Sequence, residues 1–208
     1  MALYPDYCTL AQLKAQVRVT DTADDTAFAA AITAASRAID HECGRQFGVS
    51  TAVARTFSSD CGYYIEGLPA IAIDDLSTAA SLVVAIDDSD LGTYPTTLTI
   101  GTDFTLWPYN ALADLKPYTH LLTRSTSSHR WPSYANSIKV TGLWGWAAVP
   151  AVVTSATLIQ AARFFVRRDS SYGIAGSPEL GNELRLLARL DPDVALMLTS
   201  VKRWWGAQ

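Results

Sequence analysis

A chain of 208 residues, 49% hydrophobic and 17% charged, is long and apolar enough to bury a substantial core, which excludes wholesale disorder and suggests one domain or one domain carrying an insertion. The formal charge of −4 is unevenly spread: residues 51–120 set Arg55 and Lys116 against Asp60, Glu66, Asp74, Asp75, Asp87, Asp88, Asp90, Asp103 and Asp114. Such a segment repels nucleic-acid phosphate and excludes a module that grips DNA, though not one that DNA passes.

The opening MALYPDYCTL has neither a basic n-region nor an apolar h-region, so no secretory signal is expected. Cys8, Cys43 and Cys61 make an odd set without a C-x-x-C pair, which supports neither a disulfide framework nor structural zinc and fits reduced thiols in a protein made in the cytosol. Thr9-Leu10-Ala11-Gln12 reads as a capping box, opening a short first helix with Leu10, Leu13 and Val17 on one face. After a polar connector from Thr20 to Asp25, a second helix is expected from Asp24 to Cys43. Its stripe is Phe28, Ile32, Ala35, Ile39 and Cys43, and Gly44 is placed to end it.

From about Ser50 helical periodicity gives way to threonine, valine, tyrosine and turn residues. The expected strands are Ala52–Phe57, Tyr63–Ile65, Ser81–Ile86, Thr96–Ile100, Phe104–Trp107, Leu121–Arg124 and Ser137–Leu143. Turn signals at Asp60-Cys61-Gly62, Asp87-Asp88-Ser89-Asp90, Gly101-Thr102-Asp103 and Pro108-Tyr109-Asn110 separate them.

Pro150 then changes the period. A proline is tolerated at the first helical position because its missing N–H would have no partner there. Beyond it Val152, Val153, Ile159, Phe164 and Phe165, with neighbouring apolar residues, spread a stripe almost all round a central helix ending near Arg168. Only Gln160, Arg163 and Arg167, three and four apart, make a polar line. A helix apolar on nearly every side must be covered by its own chain or by copies of it, so these five residues are candidates for core or for an interface between copies. The run is too short and too interrupted to span a membrane. Asp169 to Gly176 reads as a loop, and Asp191-Pro192-Asp193 opens a last helix with an N-cap, an N1 proline and an early acid. Val194, Leu198, Val201 and Trp205 give its apolar face.

The expected fold is therefore α+β. A helical core of two N-terminal helices (1–49), a long central helix and a C-terminal helix (149–208) carries a large β insertion (50–148) between the second and central helices. No catalytic constellation emerges. There is no G-x-S-x-G, Walker-A lysine or H-E-x-x-H, and neighbours in Asp40-His41-Glu42-Cys43 diverge around a helix. Asp87–Asp90 lacks the spaced ligands and closing glutamate of a calcium loop, so a solvated turn is expected. No metal, cofactor or enzyme activity is expected. Trp144, Trp146, Trp204 and Trp205 are core fillers or interface anchors, and the terminal pair leans toward an interface.

Ala34–Phe47 resembles the second helix of head-to-tail connector (adaptor) proteins of long-tailed bacteriophages. Gly101-Thr102-Asp103-Phe104 with Pro108-Tyr109-Asn110-Ala111 is similar to a strand of that family. Val140-Thr141-Gly142-Leu143-Trp144-Gly145-Trp146 through Pro150, Ala161–Ser170, and Leu190–Val194 continue the likeness in order. The resemblance implies a non-catalytic virion protein of the neck, made in the host cytoplasm, forming a dodecameric ring beneath the portal that extends the DNA channel toward the stopper or tail terminator. Double-stranded DNA would pass without specific binding, and no membrane is involved. On this reading Lys202, Arg203, Trp204 and Trp205 dock on the portal, while Arg163, Arg167 and Arg168 are channel or interface charges. The alternatives are a stopper or tail-terminator protein of the same neck and, more remotely, a metal-dependent enzyme or ligand-binding domain using Asp87–Asp90.

Overall fold

The computed structural model describes residues 5–59, 63–168, 174–175, 184–185 and 190–203. The chain divides into two compact units, one formed by Gly48–Ala148 and the other by Tyr4–Phe47 with Val149–Gln208.

The first unit is built on an eight-stranded antiparallel sheet. Its strands are β1 (Val49–Phe57), β2 (Tyr64–Ile65), β3 (Leu68–Leu76), β4 (Val83–Ile86), β5 (Thr96–Leu98), β6 (Phe104–Trp107), β7 (Tyr118–Thr123) and β8 (Ile138–Gly145). The order β5-β4-β8-β3-β7-β6 forms the sheet, with β1 added to β8 and β2 to β3. β8 is the strand that joins its two halves. Ile138–Thr141 pairs with both β1 and β4, which must therefore lie on opposite edges, and Trp144 then pairs with Leu76 of β3. Strict alternation places Ile138, Val140, Gly142 and Trp144 inward, and Lys139, Thr141 and Leu143 on the half-covered outer face. Gly142 is small for a reason: a Cβ there would sit 2.7 Å from Leu76 Cδ1. With Ile71, Ile73, Val84, Ile86, Phe104, Leu106 and Leu121, the inward side chains of β8 make one core.

The second unit contains α1 (Leu10–Val17), α2 (Asp25–Cys43), α3 (Ala151–Arg168) and α4 (Pro192–Leu198). The capping box forms as the sequence specifies, Gln12 N–H donating to Thr9 Oγ1 at 3.2 Å and Thr9 N–H to Gln12 Oε1 at 2.8 Å. Gly44 ends α2 in the left-handed conformation at φ 61°. Leu13, Phe28, Ile32, Ala35 and Ala161 form the core, and Phe165 stacks on Phe28 at 3.9 Å between ring centroids. Tyr7 ties the start of this unit to α2: its N–H donates to Ser36 Oγ at 3.1 Å, its hydroxyl donates to Asp40, and Phe47 N–H donates to that hydroxyl at 3.1 Å. Burial pushes the Tyr7 hydroxyl and the Asp40 carboxyl up, the hydrogen bond between them raising the former further. Among the described residues no helix is long and apolar enough to cross a membrane.

The expectation of a helical adaptor core carrying a β insertion is overturned. The eight-stranded antiparallel sheet is the dominant element and owns an independent core, whereas α1 and α4 are only eight and seven residues long. The physical cause is a strand that the sequence expectation lacks altogether. β3 carries Pro69 near its start and Asp74-Asp75 near its end, both signals for a loop. Each is accommodated by position. Pro69 pairs only with the two-residue β2, and the aspartates fall where the β3·β7 register shifts between Ala72 and Leu76. Asp74 is ion-paired with Arg55 at 2.6 Å, and buried Asp75 accepts from Trp146 Nε1 at 3.1 Å. With β3 in place, strands that read as separate hairpins become one sheet.

Candidate functional site

The residues singled out from sequence fall into three groups. The polar line of α3 faces inward, not toward solvent. Gln160 is buried and its Oε1 accepts from Asp191 N–H at 3.1 Å, while Arg163 holds the Asp191 carboxylate at 2.8 Å. Asp191 also caps α4, accepting from Asp193 N–H at 2.9 Å. Gln160 and Arg163 thus fix the entry of the last helix. Arg168 pairs with Asp24 at 2.9 Å and lies over the Phe165 ring at 4.7 Å, and Arg167 is half-buried. On the same helix Val153 is fully buried, Val152, Ile159, Phe164 and Phe165 are half-buried, and Val166 is 59% exposed.

At the end of the described chain, Lys202 Nζ pairs with Glu42 at 2.6 Å and Arg203 N–H donates to Cys43 O at 2.8 Å. The segment after α4 is thereby anchored to the end of α2. Trp204 and Trp205 lie outside the described residues. Trp144 and Trp146 are core residues, their indole N–H groups donating to Val53 O at 2.8 Å and to Asp75.

The third group is the acidic turn and the histidines. Asp87 is 3% exposed and its carboxylate accepts from the backbone N–H of Ser89 at 3.0 Å, Leu91 at 3.4 Å and Gly92 at 2.7 Å. Burial alone would raise its pKa, but these N–H donors together hold the carboxyl below the usual range. Asp88 accepts from Thr96 Oγ1 at 2.9 Å. The turn is thus built by its own carboxylates, and among the described residues no group of three or more potential ligands converges as a metal site. Asp103 behaves in the same way: Thr99 N–H at 2.8 Å, despite partial burial and with help from the Ser127 hydroxyl, lowers its pKa. His120 lies on β7, against Trp107 and 3.1 Å from the Tyr63 hydroxyl. His41 is exposed in the last turn of α2. Cys8 and Cys43 are buried free thiols, each pushed up to about 11 by burial. Cys61 lies outside the described residues.

Two surfaces were not singled out by sequence. An open groove of about 510 Å³ is lined by polar and aromatic side chains, among them Asp88, His129, Arg130, Trp131 and Tyr134. The other is the turn after β6, where Tyr109, Leu112 and Leu115 are exposed around a buried Ala111. Their spacing of three is the sequence signal that could have found it, since apolar residues at that interval share a face.

No protein-family model matches the chain, and no curated protein matches it by sequence. Its fold is similar to that of a chain from the neck of an empty GTA particle computed with C6 symmetry. That likeness has a TM-score of 0.51 and 15% identity, and covers 92% of this chain and 97% of that one. A chain from the virion of a native gene transfer agent (GTA) particle is similar at a TM-score of 0.50 and 17% identity, over 89% of this chain and 94% of that one. At such identities the likeness is one of fold. It spans both units and nearly the whole of each neighbour.

Proposed function

We propose that this chain is a structural protein of the neck of a phage-like particle, located in the virion, and that within the neck it acts as the head-to-tail adaptor. In this role copies form a ring between the portal and the stopper or tail terminator and extend the DNA channel. The observation that carries the reading is the fold likeness over 92% of this chain to a chain of a particle neck described with sixfold symmetry. An array of identical subunits with cyclic symmetry requires heterologous interfaces that close by rotation. The exposed Val166 and the half-buried Val152, Ile159, Phe164 and Phe165 offer α3 as part of such an interface, with a dodecamer as the assembly. In Gly48–Ala148 nine Asp and Glu stand against five Lys and Arg. An acid excess of that kind, facing the channel, would let duplex DNA slide because few phosphates are neutralised. The function needs no catalysis, cofactor or metal. The portal contact falls to the segment of Lys202, Arg203, Trp204 and Trp205, held at its root by Glu42 and Cys43.

A second reading, a stopper or tail-terminator protein of the same neck, is favoured by one observation, the dominance of the antiparallel sheet. Mass measurement of the purified chain with and without portal separates the two. A ring-sized complex with the portal supports the adaptor. Binding only to a preformed portal–adaptor complex supports the stopper. Absence of the chain from purified particles would remove both.

A further inference from the structure

We infer that the open edge of β1 is a strand-addition site, and that in the ring it receives the ribbon of β9 (Ile174–Ala175) and β10 (Leu184–Arg185) from a neighbouring copy of this chain. The inference rests on the neck reading above. Among the described residues β1 pairs with β8 alone. Ser77 N–H donates to Leu143 O at 2.9 Å and Asp87 N–H to Ser137 O at 2.8 Å, so the odd-numbered residues along β8 turn their backbone toward β3 and β4. Trp146 N–H donates to Gly48 O at 3.1 Å and Trp144 N–H to Ser50 Oγ at 3.0 Å, so the even-numbered ones face β1. Val53, Arg55 and Phe57, opposite Gly142, Val140 and Ile138, therefore bond to β8. Ala52, Ala54 and Thr56 point their N–H and C=O groups away from the sheet.

The other edges of the sheet are blunted and this one is not. β5 is three residues long and follows Pro95, while β6 runs into Pro108 and its Phe104 O already accepts from Gly101 N–H at 2.8 Å. β2 has two residues. Short length and proline keep an edge from templating a further strand. β1 has nine residues and no proline, and its sole charge, Arg55, is held by Asp74 at 2.6 Å. Thr51, Ala52, Val53, Ala54 and Thr56 are exposed, so an incoming strand has access to the regular stretch from Ala52 to Phe57. Val53 and Phe57 flank Trp144 on one face, and Ala52, Ala54 and Thr56 line the other. A strand of alternating apolar and polar residues fits such an edge.

The chain carries a strand of that kind. β9 and β10 form a two-stranded sheet, with Leu184 opposite Ala175 and Arg185 opposite Ile174. A two-stranded ribbon alone is marginal in water and is stabilised by a third strand. In the sequence Glu183-Leu184-Arg185-Leu186 alternates polar and apolar residues, the pattern of a half-buried strand. Residues 169–191 join α3 to α4, where a helix–helix connection ordinarily takes about 2–8 residues. Folded back at its middle, a segment of that length reaches at most about 35 Å at ~3.3 Å per residue, enough to cross to a neighbouring subunit. An open edge and an unfinished ribbon on one chain complete each other head to tail, the heterologous contact that a cyclic ring repeats. Two β1 edges joined across a twofold axis would instead close as a dimer and leave no edge for the next subunit.

The test uses the full chain in particles, complementing a deletion of its gene. Ala54→Pro removes an outward N–H and no bond to β8, so the far-UV circular dichroism of the chain should be unchanged. Its incorporation into particles should nevertheless fall by about tenfold or more, the loss expected for one or two inter-strand hydrogen bonds. Replacing residues 174–185 by a Gly-Ser linker of equal length should cause the same fall, and the two changes together should cost no more than either alone. A photo-crosslinking residue in place of Ala54 reports even if Ala54→Pro fails to fold. In particles assembled from that chain mixed with isotopically heavy unsubstituted chain, it should join β1 of a light copy to residues 173–186 of a heavy one. Crosslinks confined to single chains, between two β1 strands or to another protein, or full incorporation of Ala54→Pro, would overturn the inference while leaving the neck reading intact. Absence of the unsubstituted chain from the particles would defeat the neck reading and this inference together.

Discussion

The two units differ in how the carboxylates at their turns and helix ends are held, although both carry long-range side-chain pairs, Arg55 with Asp74 and Trp146 with Asp75 in the β unit. In the helical unit, side chains at element ends grip one another: Tyr7 with Asp40, Arg163 and Gln160 with Asp191, Lys202 with Glu42. In the β unit the carboxylates of the turns are satisfied by backbone N–H groups a few residues away, as Asp87 and Asp103 are. Long-range side-chain grips hold helices whose own hydrogen bonds say nothing about their neighbours, whereas the ladder of a sheet already fixes strand to strand. The surface of the β unit carries Leu115, Leu112, Tyr109, Leu91 and Tyr64, all exposed.

The sharpest way to break this contrast is Gly145→Val. Gly145 has φ +105°, and a Cβ there would lie 1.8 Å from Gly48 O, the acceptor of Trp146 N–H. The backbone must move, and a loss of about 3 kcal/mol or more is expected, read as collapse of near-UV ellipticity from Trp144 and Trp146. Phe28→Ala removes the stack on Phe165 in the helical core and should cost about 3–4 kcal/mol by urea titration, with amide protection lost first in α2 and α3. Asp191→Ala takes away the α4 cap and the partner of a mostly buried Arg163, for about 2 kcal/mol, and exchange in α4 should accelerate. If α4 were held by apolar packing alone, that variant would be silent.

The smallest effect separates the units by sign. Asp87 and Asp103 have lowered pKa values in the fold, so their contribution is present above the unfolded value of about 3.9 and is lost as pH falls through the folded value. Asp40 is raised by burial, so its contribution is present below about 3.9 and is lost as pH rises through the folded value. Acidification through pH ~4 should weaken protection in β4 and β5 while sparing α2 from the same loss. Asp87→Asn should flatten the β response, and Asp40→Asn that of the helix. Parallel loss in both units would refute the assignment.

Local chemistry was legible in the residues wherever a few neighbours sufficed. Thr9 and Gln12 made the capping box, Gly44 the left-handed stop, Asp191-Pro192-Asp193 the last start, and alternation through Val140 and Trp144 the strand β8. The candidate surfaces were legible only in part. The apolar run of α3 was plain and the turn at Pro108-Tyr109-Asn110 was legible, but the exposure of Tyr109, Leu112 and Leu115 was not, because a short turn's burial is set by what packs around it.

The amino-acid sequence by itself determined the helix starts and the ends of the first three helices, most strand positions and the lack of a recognised catalytic motif, because each depends on hydrogen bonds within one turn or on side-chain period. The apolar period through Val201 and Trp205 instead implied a longer last helix than the Pro192–Leu198 observed. Only the tertiary structure decided that Leu68–Leu76 is a strand, since Asp74 and Asp75 tolerate a sheet only with Arg55 and Trp146 beside them. It also decided that Gln160 and Arg163 turn inward, since only Asp191, far along the chain, offsets their burial. A charge is a loop signal or a core contact according to whether its partner arrives, and that partner is set by the fold rather than by the neighbouring residues.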